Sequence, residues 1–276
     1  MSLVTRMKRP MIDSSIRSKL DRHITAAQAV RYRTISGGTF EIMPHWLRGF
    51  SGLKSPTFNI FQPLIPAGLK DDLLADTAAF FASKEVLYTV EIVHDRLPEA
   101  PDFLDQRHYQ PLPPQPAMFL EDFPAGNDIQ LNPEVYVERI LTVPSLTAFC
   151  TLLHQVFDFP LSDMVKLFPV AQLEGETKNN FRHYLAFVDE QPVSAGSMIC
   201  LENVVSIWNV CTVDQFRNQG VATTLLHQML KDAIESGCSQ AMLYSTPQAY
   251  HLFSKLGFEI YTQRQWFLPP GLDYQD

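Results

Sequence analysis

The spacing of apolar residues switches repeatedly between a period of three to four and a period of two, and the switches predict the elements. Ile16 to Arg31 reads as a polar helix, and Thr34 to Thr39 as a turn leading into a short strand. Asn59 to Phe61 reads as strand and Pro66 to Gly68 as a turn. Leu69 to Lys84 reads as a helix, because Leu69, Leu73, Leu74, Thr77, Phe80 and Phe81 line one face. Val86 to Val93 alternates and reads as strand, Pro101 to Tyr109 as a helix, and Ala117 to Phe123 as strand. In the second half, Val135 to Val143 reads as strand. Pro144 to Phe157 reads as a helix with the stripe Leu146, Phe149, Leu153 and Phe157. Three strands follow in a meander: Phe181 to Val188, Val193 to Leu201 and Val204 to Val213, the last two joined at Glu202-Asn203. A helix from Val221 to Ser236 stops at Gly237, and Ala241 to Tyr244 reads as strand. A helix from Pro247 to Leu256 stops at Gly257, and Ile260 to Leu268 closes the series as strand. The second half is thus β-α-β-β-β-α-β-α-β, which predicts an α/β fold with a mixed sheet.

The prolines divide this series. Eight of the 20 lie between Pro98 and Pro133, and the run Pro111 to Pro116 is expected to stay out of helices and central strands. A second loop signal follows at Pro124 to Asp128, which puts the boundary near 124–133 and the domains at 1–128 and 129–276. A chain of 276 residues fits that division.

Charge and cysteine content then narrow the function. The net charge of -8 argues against a nucleic-acid surface, which needs clustered Lys and Arg, and modestly favours a cationic partner. There is no apolar run of membrane-spanning length, and Met1 to Pro10 has basic residues with no apolar segment after them, so neither a membrane span nor a secretory signal is expected. Cys150, Cys200, Cys211 and Cys238 are scattered without metal-ligand spacing and sit in apolar or small-residue stretches. They read as buried reduced thiols in a cytoplasmic protein without a metal.

The stretch that carries chemistry is Val210 to Leu226. A strand ends near Val213, a polar turn follows, and a helix begins at Gly220. A helix N-terminus offers unpaired N–H groups and the positive end of the macrodipole, so this turn can cradle a phosphate or pyrophosphate. It is neither a Walker loop nor a G-x-G-x-x-G turn. The residues alone equally allow a helix that merely begins with glycine.

Arg217-Asn218-Gln219-Gly220-Val221-Ala222 resembles the [RQ]-x-x-G-x-[GA] signature of the GNAT superfamily of acyl-CoA-dependent N-acetyltransferases. Ser245 to Phe258 resembles the family's second block, commonly N-x-x-A-x-x-L-Y-x-K-x-G-F, and the likeness covers roughly residues 135–268. It implies a C-terminal GNAT fold with acetyl-CoA as acyl-donor cosubstrate. The backbone of Cys211, Thr212 and Val213 would pair with the pantetheine arm, and the amides of Arg217, Asn218, Gln219, Gly220, Val221, Ala222 and Thr223 would hold the pyrophosphate. Thr246 would lie near the pantetheine, and the strands flanking the first block would splay into a slot.

The reaction so implied is direct transfer to an amine, with the Val213 amide stabilising the oxyanion. Cys211 as an acyl carrier is a minor alternative. Glu202 and Asp214 are the candidate bases. The family's usual acid, the Tyr of L-Y, is replaced by Phe253, which leaves Tyr250 or Tyr244 as substitutes. Each of these side chains could equally be a packing or solvated turn residue.

The first half lacks the signature block, yet residues 69–123 repeat the α-β-α-β end of the pattern, which resembles a degenerate GNAT-like domain walling the acceptor site. An unrelated cap would read similarly. The expected acceptor is a primary amine of a small molecule, amino acid or peptide, and the chain is expected to be a monomer or homodimer. The alternatives are a non-catalytic acyl-CoA sensor and a Fem-like aminoacyl transferase.

Overall fold

The structure is a computed structural model that describes residues 13–123, 130–173 and 180–271. The expected turn at Pro124 to Asp128 and the basic segment Met1 to Pro10 lie outside the described residues. The described helices are α1 Ser14–Thr34, α2 Asp71–Ser83, α3 Ala100–Asp105, α4 Val143–Phe157, α5 Leu161–Leu167, α6 Val221–Glu235 and α7 Tyr250–Lys255. The strands are β1 Thr39–Ile42, β2 Trp46–Phe50, β3 Ile60–Pro63, β4 Thr89–Val93, β5 Gln110–Pro111, β6 Gln115–Leu120, β7 Tyr136–Arg139, β8 Phe181–Val188, β9 Gln191–Leu201, β10 Val204–Thr212, β11 Gln240–Tyr244 and β12 Glu259–Leu268. The periodicity found nearly all of these. It missed β2, whose Leu-Arg-Gly centre carries no alternation, the two-residue β5, and α5, which is about two turns long. The Pro111–Pro116 run does border strands. Pro111 ends β5 and Pro116 is the second residue of β6, positions near strand ends where a missing N–H costs little.

The chain forms two compact units, and they exchange segments instead of meeting at one cut. Among the described residues, the first holds 36–117 and 260–271, and the second holds 13–35 and those of 118–259. Thus α1 belongs with the second unit and β12 with the first. Strand-pairing partners, which decide such membership, have no local sequence signal.

In the first unit, β1, β2 and β3 form an antiparallel ladder, β3 runs parallel to β4, and β4 pairs antiparallel with β12, whose other register contact is β5. One sheet face carries Phe61, Val90, Ile92 and Phe267, which pack on Leu74 and Phe81 of α2 and Leu104 of α3. Alternation sends Gln62, Thr89, Glu91 and Arg264 to the other face, and all four are buried. There the Arg264 guanidinium donates to the Glu91 carboxylate, both side chains being almost wholly buried.

In the second unit, β7, β8, β9 and β10 are successively antiparallel, and β10 runs parallel to β11. Helix α6 packs on one face. Gly196 of β9 permits this, since a Cβ there would stand 2.8 Å from Met229 Sδ and 3.5 Å from Leu225 Cδ2. Helices α1 and α4 cover the other face. The Asp13 carboxylate accepts from the Ser15 N–H to cap α1, and Thr142 Oγ1 accepts from the Ser145 N–H to cap α4. Phe149, Phe168 and Phe181 surround His183, with ring centroids 4.9, 5.3 and 4.6 Å away.

Two outcomes follow from the buried charges. Replacing Arg264 by Met removes a guanidinium that donates to the buried Glu91 carboxylate and is expected to destabilise the chain by about 3–5 kcal/mol, while the double change Arg264→Met, Glu91→Met costs far less. Equal losses in urea titrations of the single and double variants would contradict this. Burial also holds the His183 imidazole down at about 3, and burial, partly opposed by the Leu201 backbone carbonyl nearby, holds His23 at about 4. Both are neutral in the native state and ionise near 6.5 once unfolded, so stability is complete above pH 6.5 and is lost as pH falls toward 4 and 3. His183 alone should take away ~1.4 kcal/mol by pH 5.5. A urea midpoint unchanged between pH 7.5 and 5.5 would contradict that assignment.

Candidate functional site: a fork between two parallel strands

The site begins where a ladder stops. β10 and β11 pair in parallel from Val204↔Gln240 to Ile207↔Leu243 and no further, although β10 runs on to Thr212. On its other side β10 stays paired with β9 as far as Thr212↔Ser194. The register with β9 shifts between Trp208 and Cys211, and Asn209 at the shift has φ 56°, a left-handed conformation inside a strand. A bulge of this kind bends the strand and sharpens its twist, so β10 leaves β11 and a fork opens. The splayed strands implied by the family resemblance are present.

The β9 ladder decides which backbone groups of β10 face the fork. The Val213 N–H donates to the Val193 carbonyl at 2.9 Å, and the Cys211 carbonyl accepts from Ser194 Oγ at 2.6 Å. Antiparallel hydrogen bonding alternates residue by residue, so Cys211 and Val213 point their backbone toward β9 and Thr212 points its N–H the other way. The Val213 N–H, expected to serve as oxyanion donor, is thus already bonded within the sheet, and of Cys211, Thr212 and Val213 it is Thr212 whose N–H points away from β9. The Cys211 thiol is buried, which pushes it up to about 12, so it is a protonated packing group and no acyl carrier.

The polar turn that follows is a one-turn 3-10 segment from Asp214 to Phe216, after which Asn218 (φ 61°) and Gly220 (φ 77°) both adopt left-handed backbone. Gly220 is the N-cap of α6. A Cβ there would stand 3.5 Å from Asn132 Cβ, an ordinary contact, so glycine is required by its φ more than by space. The first turn of α6 closes with the Thr224 N–H on the Gly220 carbonyl at 3.0 Å, which leaves the amides of Val221, Ala222 and Thr223 without acceptors inside the helix. Arg217 Nε donates to the Thr212 carbonyl at 3.1 Å and its guanidinium meets Asp214 at 2.7 Å, tying the turn to the end of β10. Gln219 Nε2 bonds the Gln215 carbonyl at 2.8 Å. From before β7, Asn132 Nδ2 donates to the Gln219 carbonyl at 2.8 Å and its N–H to Thr224 Oγ1 at 3.0 Å. Asn132 is a brace with no local signal along the chain, since it lies 92 positions from Thr224.

The remaining candidates separate. Tyr244 ends β11, and its ring meets Trp208 edge-on at 6.0 Å, directly past the last paired residues; the Arg31 guanidinium of α1 lies 4.7 Å over the same Trp208 ring. Tyr250 opens α7, half-buried, with its ring 5.6 Å from that of His251. Thr246 caps the turn before α7, its hydroxyl accepting from the Ala249 N–H at 3.3 Å. Phe253, where the family's usual Tyr would stand, is buried against Phe258 at 5.9 Å. Glu202 is an exposed hairpin residue with φ 54°. The nine-residue length of β10 lies between it and the open end at Thr212, roughly 27 Å at the usual rise, so Glu202 sits at the closed end of the fork, away from the place expected of a base. Asp214 is bound to Arg217 and turned to solvent. Among the described residues no group of three or more His, Cys, Asp or Glu could hold a metal, and no helix is long and apolar enough to cross a membrane.

Residues 152–258 match the family described as Acetyltransferase (GNAT) family. This segment runs from within α4 to just past α7 and includes the fork and the turn before α6. The uncharacterized N-acetyltransferase YjcF of Bacillus subtilis (strain 168) is 24% identical over 106 residues, which cover 38% of this chain and 75% of that protein. A GCN5-related N-acetyltransferase from Kribbella flavida superposes with TM-score 0.71 at 15% identity, covering 91% of this chain and 95% of the other. A tandem GNAT protein from the clavulanic acid biosynthesis pathway superposes with TM-score 0.57 at 13% identity, covering 83% and 79%. Over residues 152–258, then, the chain is similar to the acetyltransferases of the GNAT family.

Proposed function

We propose that the chain transfers the acetyl group of acetyl-CoA directly to a primary amine of a small molecule, amino acid or peptide. The observation that carries this reading is the unpaired edge of β10 past Ile207, which runs into the acceptor-less amides at the start of α6. That edge fits an extended amide-bearing arm, and those amides fit a pyrophosphate. Acetyl-CoA would supply an activated thioester. The Val221, Ala222 and Thr223 amides would hold the pyrophosphate, with Asn218, Gln219 and Gly220 shaping the turn and Arg217 fastening it to β10. The Thr212 N–H is placed to donate to a carbonyl oxygen lying in the fork as negative charge grows on it. Tyr244, at the fork through its contact with Trp208, is the phenol that could return a proton to a leaving thiolate, with Tyr250 as the second choice. A thiolate leaves readily near neutral pH, so this aid is modest.

The first unit reads as a GNAT-like domain without a cofactor block, supported by the likeness in fold to a tandem GNAT protein over 83% of the chain. Four free, buried cysteines favour a reducing compartment such as the cytoplasm. The second reading, an acyl-CoA sensor, is favoured by one observation: Phe253 stands buried where the family's usual acid would be. An aminoacyl transferase acting with tRNA fits poorly with a net charge of -8.

Acetyl-CoA at ~100 times its Kd should add ~2.7 kcal/mol to native stability and raise the melting temperature. Gly220→Val should remove that shift while the circular dichroism of the unliganded protein stays native, since a branched residue disfavours φ 77° and reshapes the turn. No shift with millimolar acetyl-CoA, or a shift that survives Gly220→Val, would refute the reading. Release of free CoA across a panel of amines separates the enzyme from the sensor.

A further inference from the structure

Beneath the bulge of β10 runs a buried chain of polar side chains that the transfer chemistry does not use. Asn209 Nδ2 lies 3.4 Å from Ser197 Oγ, and Ser197 Oγ lies 2.8 Å from His183 Nδ1. His183 Nε2 lies 2.8 Å from Gln172 Oε1. Gln172 Nε2 donates to Thr34 Oγ1 at 2.8 Å and to the Leu167 carbonyl at 3.0 Å, and Thr34 Oγ1 donates to the Arg31 carbonyl at 2.8 Å. Ser197, His183 and Gln172 are each about 1% exposed or less. The chain joins the end of α1 to the strained residue at the mouth of the fork.

Every proton in the chain has one possible direction. The Leu167 carbonyl only accepts, so the Gln172 amide nitrogen must face it and the Gln172 oxygen must face His183. His183 Nε2 therefore carries the hydrogen. Charge is expelled from this aromatic-lined position, so Nδ1 is bare and must accept from the Ser197 hydroxyl. With its own hydrogen committed, Ser197 can only accept from Asn209, and the Asn209 amide nitrogen is the atom turned toward it. A fully satisfied and directional network of this kind rigidifies what it touches.

Its outer end is Asn209, a non-glycine residue at φ 56°, a conformation that costs about 1 kcal/mol and persists only where surroundings impose it. Two residues on, the strand resumes pairing at Cys211↔Ala195, and the phase set at the bulge decides that Thr212 and not Val213 faces the fork. We infer that Ser197, His183 and Gln172 are positioning residues: they clamp Asn209 in its left-handed conformation and thereby fix the aim of the Thr212 amide. The consequence for the cofactor rests on the acetyl-CoA reading above; the clamp itself does not.

The test uses the full chain and the variants Ser197→Ala and Ser197→Ala with Asn209→Gly. Ser197→Ala removes the acceptor that holds Asn209, and amide hydrogen exchange across Trp208 to Thr212 should accelerate about tenfold, the loss of one part-buried hydrogen bond. The Kd for acetyl-CoA should rise by about the same factor, while that for adenosine 3′,5′-bisphosphate, which lacks the pantetheine arm and the thioester, changes less than about twofold. Glycine takes φ 56° without help, so adding Asn209→Gly should recover most of the acetyl-CoA affinity that Ser197→Ala loses. A structural role elsewhere would not be rescued at position 209. Unchanged exchange at 208–212 in Ser197→Ala, equal weakening of both ligands, or no recovery in the double variant would each overturn the inference. If the parent chain failed to bind acetyl-CoA, the functional reading would fall, and the exchange rates would still decide the clamp.

Discussion

The second unit depends on one interrupted ladder. β10 and β11 hold each other for four residues and then part, and the N–H released at Thr212 is the group a second chain can pair with. A parallel pair could in principle continue; here the bulge at Asn209 turns β10 away, and Trp208 with Tyr244 fills the crotch. An unpaired backbone edge is costly where water is excluded, so it persists next to a site that supplies water or a ligand. The amide cluster at the start of α6 lies at the end of that same edge, because only seven residues separate Thr212 from Gly220 in the turn that Arg217 ties back.

The elements around the fork hold it rigid from both faces. α6 sits close because Gly196 has no side chain to keep Met229 away. On the opposite face α1 contributes Arg31 over Trp208, and the hydrogen-bonded chain from Thr34 reaches the bulge itself. The protein thus joins a helix from its N-terminal end to a signature block some two hundred residues later. The exchange of α1 into the second unit and β12 into the first follows from partners that meet only after folding.

Much of this was legible in the sequence. Alternation and 3–4 spacing located α2, α4, α6 and the β8–β10 meander, and the Gly220 block marked the cradle, because these features are local. Which backbone amide faces the fork was not legible: Val213 and Thr212 are neighbours, and a bulge three residues earlier decides between them. Glu202 read as a candidate base or a solvated turn residue, and the length of β10 carries it to the closed end of the fork. Asn132 and Ser197 act through contacts 92 and 12 residues away in sequence, for which one sequence holds no signal. Asn209 did leave a trace, an Asn within a β-branched run, a residue type that tolerates left-handed backbone.

The central claim is that the open edge at Thr212 and the first amides of α6 together receive acetyl-CoA. Residue-resolved amide hydrogen exchange with and without saturating acetyl-CoA tests it most directly. The account predicts new protection at Thr212 and at Val221, Ala222 and Thr223, with Val213, already bonded to Val193, unchanged. Protection at Val213 but not Thr212, or none in the first turn of α6, would contradict it.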